Sequence, residues 1–254
     1  MNSPASTHTN TNLVAYSFEY KGKSLQLTGR SDVASDEAII YNVFLKDMFS
    51  MEHMPQHASL HNFYHAIQLQ GKRPVIVDAG ANIGASSVYF HEQYPAIKSI
   101  SIEPSGNNFM LLESNVRGYD AHPIQAALSC SNGQLWMNDE DFGPIAVRVG
   151  LTGKTKVNAY CMERILQDFS PADQPFIAKI DIEGGEALLF SENTAWLDLF
   201  PLVIIELHDW MLPFTNVSNN FYKAVGHLEF DLINFGENTF CFNKRLLKAH
   251  PAAM

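Results

Sequence analysis

Residues 75–88 read VIVDAGANIGASSV and set the expected fold. The apolar run at 75–77 is typical of a buried strand, and it stops at Asp78. A loop of glycine, alanine and asparagine follows, and then the start of a helix. In open parallel sheets, ligands bind at the carboxyl ends of the strands, so this junction predicts a ligand site.

The rest of the chain alternates in the same way. Strands are predicted at 75–78, 99–103, 122–127, 176–182, 202–207 and twice within 230–243, and helices at 84–94, 107–117, 162–169, 185–192 and 219–228. Upstream, the pattern predicts a hairpin over 13–28 and helices over 38–49 and 55–69, the first capped by Ser35 and Asp36. Residues 129–160 are predicted to form a hairpin insertion. The fold class is therefore α/β, with a mostly parallel sheet covered by helices on both faces.

We expect a disordered tail at 1–12, an N-terminal hairpin and helical cap at 13–70, and a cofactor-binding domain at 71–245 that forms one structural unit with the cap. The 254-residue chain is 46 % hydrophobic and carries a net charge of −10, which argues against a nucleic-acid partner. It contains no apolar run long enough to span a membrane and no signal peptide. Three widely spaced cysteines suggest a reducing cytoplasm.

The glycine-rich loop predicts the kind of cofactor. Gly80 removes a side chain where a ligand approaches, Asn82 tolerates a left-handed backbone, and Gly84 allows the next helix to pack closely. The G-x-x-x-G spacing differs from the G-x-G-x-x-G dinucleotide fingerprint. No lysine or arginine occurs from residue 74 to 97, while Asp78 lies at the predicted mouth. These features favour S-adenosylmethionine (SAM), which is an onium compound without phosphate.

Glu103 ends the next predicted strand, where its carboxylate can accept hydrogen bonds from both ribose hydroxyls. Ser86 and Pro104 are further candidate cofactor-binding residues. The alternative reading is that the loop is an ordinary strand-to-helix turn without a ligand.

A second charged constellation occurs at KIDIEGGE, residues 179–186. Alternation places Lys179, Asp181 and Glu183 on one face of a strand that should be buried, so these charges must pair, meet water or meet a ligand. The next strand ends IIELHDW, which places Glu206 and His208 on one side. Both strand ends should meet at the same edge of the sheet.

These groups suit methyl transfer, which needs an oriented nucleophile and a proton acceptor. His208 is the candidate general base. Asp181 or Glu206 can orient it, contact the cofactor ammonium or, together with His208, bind Mg²⁺ or Mn²⁺. Lys179 is either part of the catalytic set or paired internally with Asp181 or Glu183, and His208 is otherwise a loop histidine bonded to backbone.

Five segments together resemble the FkbM family of SAM-dependent methyltransferases. They are VDAGANIGASS (77–87), SIEPSGNNFMLLESNV (101–116), QAALSCSNG (125–133), AKIDIEGGEALLF (178–190) and VIIELH (203–208), and SDEAIIYNVF (35–44) is similar to the family's lead-in helix. The resemblance implies a Rossmann-like class I methyltransferase fold with a seven-stranded sheet. It also implies O-methylation of hydroxyls on sugars, polyketides and other specialised metabolites.

The same resemblance implies roles for individual residues. Asp78, Gly80, Asn82 and Gly84 would line the methionine end of SAM, and Glu103 would hold the ribose. Ala126 and Ala127 would lie near the adenine, and Asp181 where cofactor and acceptor meet.

Four histidines recur every four residues, at His53, His57, His61 and His65. On a helix this spacing can hold a transition metal, but the pattern is also typical of a polar or pocket-lining helix face. Trp210, just beyond His208, is a candidate for the acceptor pocket.

The function predicted is a SAM-dependent O-methyltransferase acting on a small or glycosidic acceptor. The alternatives are an NAD-dependent Rossmann oxidoreductase, a non-catalytic SAM-binding protein and an N-methyltransferase. The acceptor, the metal requirement and the oligomeric state stay open.

Overall fold

The computed structural model describes residues 12–138 and 148–250. Apart from Asn12, the tail predicted at 1–12 lies outside the described residues, as does the centre of the insertion predicted at 129–160.

Thirteen strands and eight α-helices are assigned within the described ranges. The strands are β1 Leu13–Tyr20, β2 Lys23–Arg30, β3 Arg73–Ala79, β4 Lys98–Ile102, β5 Ala121–Ile124, β6 Ala127–Ser129, β7 Gly133–Asn138, β8 Arg148–Gly150, β9 Thr155–Cys161, β10 Asp173–Ile180, β11 Leu202–Glu206, β12 Phe230–Phe235 and β13 Asn238–Asn243. The helices are α1 Ala34–Ile40, α2 His57–Leu69, α3 Ala85–Gln93, α4 Gly106–Asn115, α5 Met162–Gln167, α6 Glu186–Leu189, α7 Asn219–Val225 and α8 Lys244–Leu247. A π-helix spans Tyr41–Leu45 and a 3₁₀ helix spans Ala195–Leu199.

The central sheet has seven strands in the order β12-β13-β11-β10-β3-β4-β5. The five strands from β11 to β5 run parallel, and β13 is antiparallel to both of its neighbours. All five residues of β11 are buried, as expected for a strand covered on both faces. This topology confirms the predicted fold class, an α/β Rossmann-like fold with a seven-stranded, mostly parallel sheet.

Two hydrophobic cores cover the two faces of the sheet. One contains Phe44 and Tyr89 together with Leu202 and Ile204 of β11. The other contains Trp196 and Phe221 together with Val203 and Ile205. Among the described helices, none combines the length and the apolar character needed to cross a bilayer.

Two strands have boundaries that differ from the predicted ones. The strand expected at 122–127 is divided, because β5 stays in the central sheet whereas β6 joins a separate four-stranded sheet, β6-β9-β7-β8. Residues 129–160 thus contribute to a small sheet rather than a simple hairpin. Strand β10 ends at Ile180, two residues before the predicted end, so Asp181 and Glu183 lie in the following loop.

The N-terminal hairpin β1–β2 is as predicted and turns at Lys21 and Gly22, both with positive φ. The helix expected at 38–49 instead begins at Ala34 and continues as the π-helix. Asp36 does not cap it; its carboxylate is buried against the Arg30 guanidinium at 2.7 Å. Burial of the pair explains why the capping prediction was wrong.

Candidate cofactor and catalytic site

A crevice opens at the carboxyl ends of β3, β4 and β10 and encloses about 630 Å³, including its open mouth. Its polar lining comes from Asn82, Glu103, Asn108, Asp181 and Glu183. The rest of the lining consists of Gly80, Ile102, Pro104, Ala126, Ala127, Leu128, Leu135, Val149, Ile182, Gly185 and Leu188. Three carboxylates thus face this space, and no lysine or arginine is among the described lining residues.

The loop after β3 has the backbone that the sequence predicts. Asn82 adopts a left-handed conformation with φ of 50°, and Gly80 has φ of 75°. Gly80 lines the crevice, and its backbone is also approached by the chain itself. A Cβ there would lie 1.6 Å from the carbonyl oxygen of Asp181, which requires glycine with or without a ligand.

Gly84 lies outside the crevice lining. Its φ is 90°, and a Cβ would lie 3.0 Å from Cδ1 of Leu112. The glycine therefore permits close packing of two helices, as the sequence predicted, but does not contact the space in which a cofactor would sit.

Asp78 and Ser86 are also placed away from the crevice, contrary to the expectation that they line it. Asp78 is fully buried, and its Oδ2 accepts hydrogen bonds from the hydroxyls of Ser86 at 2.7 Å and Ser87 at 2.6 Å. The register that places Lys179 opposite Asp78 explains the difference, since the lysine neutralises this acid within the fold.

Lys179 is enclosed by its partners. Its Nζ lies 3.3 Å from Asp78 and 3.4 Å from Asp181 and donates to the carbonyl oxygen of Gly80 at 2.8 Å. Burial opposes its charge, but the two carboxylates raise the pKa of Lys179 above its usual value. The lysine is absent from the crevice lining, so it positions the loop rather than contacting a reacting group. The predicted internal pair with Asp181 is present, and Asp78 rather than Glu183 is the second partner.

Glu103 lies where the sequence predicts, at the end of β4 and in the crevice lining. Its two oxygens accept backbone hydrogen bonds from Asn82 at 3.0 Å and Ser105 at 2.9 Å. Burial raises the pKa of Glu103 to about 7, although these bonds and the charge of Lys179 oppose the rise. Pro104, Ala126 and Ala127 line the same space as expected.

His208 lies beside the crevice and is surrounded by four carboxylates. Its Nδ1 is 2.8 Å from Glu186, and its Nε2 is 3.3 Å from Glu183, 3.5 Å from Glu206 and 3.6 Å from Asp181. The imidazole is 1 % exposed. We call these five residues the His208 cluster.

The charge of this cluster differs from what a general base requires. Burial disfavours the imidazolium, but hydrogen bonds to Glu186 and Glu206 and the charges of Glu186 and Asp181 raise the pKa of His208 to about 11. Burial and the charge of Asp181 raise the pKa of Glu183 to about 8. Without a ligand, therefore, His208 holds a proton at neutral pH.

Two oxygens of the His208 cluster are buried without a hydrogen-bond partner among the described residues, Oδ1 of Asp181 and Oε2 of Glu186. One ligand atom each from Asp181, Glu206 and His208 lies within 4.8 Å of the others, which is compatible with a shared cation. The predicted metal candidates are thus brought together.

Sequence reasoning gave no site role to Glu183 or Glu186, and it missed the crevice wall formed by Leu135 and Val149. Glu183 was seen only as a charge on a strand face, although it precedes two glycines and adopts a strained left-handed backbone with φ of 54°. Glu186 begins α6, and it is fully buried against His208.

The histidine ladder lies outside the crevice lining. His57, His61 and His65 belong to α2 as expected, with ring centroids 6.2 Å and 4.4 Å apart along the series. His53 precedes the helix and stacks on Phe235 at 4.3 Å. Trp210 is 71 % exposed and its ring lies 6.3 Å from the His208 ring, but it is not among the described residues that line the crevice.

Two curated fungal proteins are similar to the chain in sequence. One is Methyltransferase sdnD of Sordaria araneosa, 41 % identical over 24 % of this chain and 26 % of its own length. The other is Methyltransferase 1 of Beauveria bassiana (strain ARSEF 2860), 27 % identical over 53 % of this chain and 64 % of its own length. The chain therefore covers less than two thirds of either relative. No protein-family profile matches it.

Among solved structures, the bifunctional kinase-methyltransferase WbdD aligns with 76 % of this chain and 40 % of its own, at 11 % identity and a TM-score of 0.43. The proteins to which the chain is similar in sequence are thus methyltransferases by name.

Proposed function

We propose that the protein is a SAM-dependent methyltransferase that methylates a hydroxyl on a small or glycosidic acceptor, such as a sugar, a polyketide or another specialised metabolite. One observation carries the proposal: the crevice presents Glu103, Asp181 and Glu183 and no cation among its described lining residues. Such a lining suits a sulfonium and an ammonium group and disfavours the pyrophosphate of NAD. The methyltransferase names of both sequence relatives support the same activity.

Each part of the cofactor has a matching part of the crevice. Glu103 is available to accept hydrogen bonds from the ribose hydroxyls, and the apolar wall that includes Ala126, Ala127 and Leu135 suits the adenine. Gly80 and Asn82 lie at the methionine end, where Asp181 pairs with the ammonium group. Asp78 and Ser86 support this loop from behind through their hydrogen bond.

Methyl transfer needs an oriented nucleophile and a group that accepts its proton. Glu183 lines the crevice, and its raised pKa of about 8 lies near the working pH, so we assign its ionised form as the proton acceptor. Glu186 holds the imidazole through Nδ1 and directs Nε2 toward the other three carboxylates. In this proposal His208 orients its neighbours and is not itself the general base, which revises the sequence-based hypothesis.

The His208 cluster also fits a divalent cation. Asp181, Glu206 and His208 would hold Mn²⁺ or Mg²⁺, and the Glu186–His208 hydrogen bond is the second interaction that metal-ligating histidines usually make. The buried Oδ1 of Asp181 has no hydrogen-bond partner among the described residues and is therefore free to ligate a metal. When bound, such an ion would lower the pKa of an acceptor hydroxyl. The nitrogen ligand favours Mn²⁺ over Mg²⁺.

Calorimetry with S-adenosylhomocysteine (SAH) and with NAD tests the cofactor. We expect SAH to bind at one site and NAD to give no heat. Glu103→Gln should weaken SAH binding about 10-fold or more, because a charged acceptor is lost. The matched control is Glu92→Gln, which removes a carboxylate bound to Lys23 and Tyr119 outside the crevice and should leave SAH binding unchanged. Binding of NAD instead of SAH would overturn the proposal.

Methyl transfer itself is tested with labelled SAM and a panel of hydroxylated metabolites. Wild-type protein should label at least one hydroxyl-bearing compound, and Glu183→Gln should abolish most of the label while keeping SAH affinity. A protein that binds SAH but labels none of the panel, even after reconstitution with Mn²⁺, would instead be a non-catalytic SAM-binding protein.

A further inference from the structure

A second groove encloses about 730 Å³, including its open mouth. It is formed between the end of the π-helix and the β12–β13 turn, and we call it the hairpin groove. Its lining consists of Asn42, Lys46, Met48, Phe235, Gly236, Glu237 and Asn238.

The hairpin groove adjoins the reaction centre. Asn238 pairs with Glu206 in the antiparallel β11–β13 ladder, and directly opposed residues point their side chains to the same face of a sheet. Glu206 in turn lies 3.5 Å from Nε2 of His208, and this nitrogen is 3.6 Å from Asp181 in the crevice wall. Asn238 of the groove and Asp181 of the crevice are thus linked through two residues, Glu206 and His208.

Two polar side chains of the lining, Asn238 and Lys46, can form further interactions with a ligand. Asn238 is 3 % exposed, and its side-chain Nδ2 has no hydrogen-bond partner among the described residues. A buried amide without a partner is costly, so this donor indicates a ligand oxygen. Lys46 forms no ion pair with a carboxylate in the described parts of the chain, and its Nζ lies 5.4 Å from the Tyr41 ring.

The remaining lining defines the shape of a partner. Met48 and Phe235 supply apolar surface, and His53 stacks on the Phe235 ring and holds it at the groove edge. Glu237 is the one carboxylate of the described lining and can accept hydrogen bonds from hydroxyls.

We infer that the hairpin groove binds the methyl acceptor, and that this acceptor is a hydroxylated carboxylic acid with an apolar body. The carboxylate lies at Lys46, an oxygen accepts from Asn238, and the apolar body rests on Met48 and Phe235. The inference rests on the proposed function. The acceptor oxygen forms the new C–O bond as the C–S bond breaks, sulfur keeps that electron pair, and the hydroxyl proton passes to Glu183.

Two dyes with the same apolar frame test the groove. Anilinonaphthalene sulfonate (ANS) carries an anion, and N-phenyl-1-naphthylamine is its uncharged counterpart. Lys46→Met should raise the Kd of ANS about 5- to 10-fold and change that of the neutral dye less than 2-fold, because one charged contact is lost. Phe235→Ala should weaken both dyes.

The matched control is Lys223→Met, which removes an exposed lysine of α7 outside the groove. Equal effects of the two lysine variants on ANS would overturn the inference. SAH calorimetry on the same variants separates the two proposals. If SAH binds but Lys46→Met leaves the affinity for ANS unchanged, the groove inference alone is rejected. If the wild-type protein does not bind SAH, the proposed function is rejected.

The kinetic arm uses an acceptor found by the labelled-SAM screen. ANS should inhibit methyl transfer competitively against that acceptor and not against SAM. The acceptor's primary amide should have a KM at least 5-fold higher than the acid in wild type but not in Lys46→Met. Non-competitive inhibition against the acceptor, or an amide used as well as the acid, would show that the acceptor binds elsewhere.

Discussion

Two groups of charged side chains lie at the carboxyl ends of the strands, and both include residues of the segment KIDIEGGE (179–186). In the first, Lys179 sits between Asp78 and Asp181, and the Gly80 carbonyl completes its shell. In the second, the His208 imidazole faces four carboxylates. Asp181 belongs to both groups.

The difference between them indicates that the first group stabilises the fold and the second is the candidate ligand site. The Lys179 group satisfies its lysine at short range, and neither Lys179 nor Asp78 lines the crevice. The His208 cluster sets four carboxylates against one imidazole, and Oδ1 of Asp181 and Oε2 of Glu186 lack hydrogen-bond partners among the described residues. In the Lys179 group, Oδ1 of Asp78 also lacks one, but it lies 3.3 Å from the lysine charge. Buried charge without compensation is expensive, so the second group is the one that awaits a ligand.

The variant Lys179→Met should have the largest effect, and it tests whether the Lys179 group stabilises the fold. The change leaves Asp78 buried without its cation, so we expect the free energy of unfolding to fall by about 3–5 kcal/mol. Thermal and urea denaturation measure the loss, and the double variant Lys179→Met with Asp78→Asn should recover part of it. A single variant as stable as wild type would show that the lysine does not stabilise the fold.

In the His208 cluster we expect the opposite balance. Glu206→Gln removes one of several repelling acids, so stability should stay the same or rise by up to about 1 kcal/mol. Methyl transfer should nevertheless fall about 10²- to 10³-fold, which is typical for the loss of one electrostatic group at a reaction centre. The comparison of kcat/KM with the melting temperature, for this variant and for Asp78→Asn, tests the contrast. A Glu206→Gln enzyme that unfolds readily would assign the cluster a structural role.

Addition of a divalent cation sharpens the same contrast. Mn²⁺ at 100 times its Kd should stabilise the protein by about 2.7 kcal/mol, because it binds only the folded state. Differential scanning fluorimetry with and without chelator measures the shift, and His208→Asn should remove it. Full activity in chelator, together with no Mn²⁺-dependent shift, would mean that protonated His208 alone balances the cluster.

Glu103 gives a third case, a buried acid whose ionised form is stabilised by backbone hydrogen bonds and by the charge of Lys179. Its pKa is raised to about 7, so its ionised form is disfavoured in the folded protein, and the stability gained at low pH is lost as the pH rises through 7. Binding that needs the carboxylate has the opposite sign. SAH affinity should fall as the pH drops below 7, by at most about 10-fold per unit.

Calorimetry at pH 6, 7 and 8 follows this change, and Glu103→Gln should give a flat profile. A wild-type affinity independent of pH over this range would exclude Glu103 as the titrating ribose contact.

The sequence was sufficient for the fold because strand and helix periods alternate regularly and the buried strands are continuous apolar runs. Local backbone was also predictable at Asn82, whose residue type favours the left-handed conformation that it adopts. Glu103 was placed correctly because its position depends only on where β4 ends.

The misplaced residues depended on long-range register. Alternation alone put Lys179 beside Asp181, but the parallel pairing of β10 with β3 brought it opposite Asp78 and closed that acid off from the crevice. Likewise, only the folded loop shows that Glu183 and Glu186 reach His208 from positions 25 and 22 residues earlier in the chain. The hairpin groove joins residues almost 200 positions apart, from Asn42 to Asn238, and no local pattern announces it.

The small sheet β6-β9-β7-β8 carries Leu135 and Val149, which form part of the wall proposed for the adenine. This wall is built on an excursion from the main sheet, whereas the acids proposed for catalysis lie at or just beyond the ends of β10 and β11. In the proposed enzyme, cofactor selectivity and methyl-transfer chemistry therefore have separate structural supports. We expect changes to the purine wall to admit donor analogues with substituents on the purine and to leave the reacting groups in place.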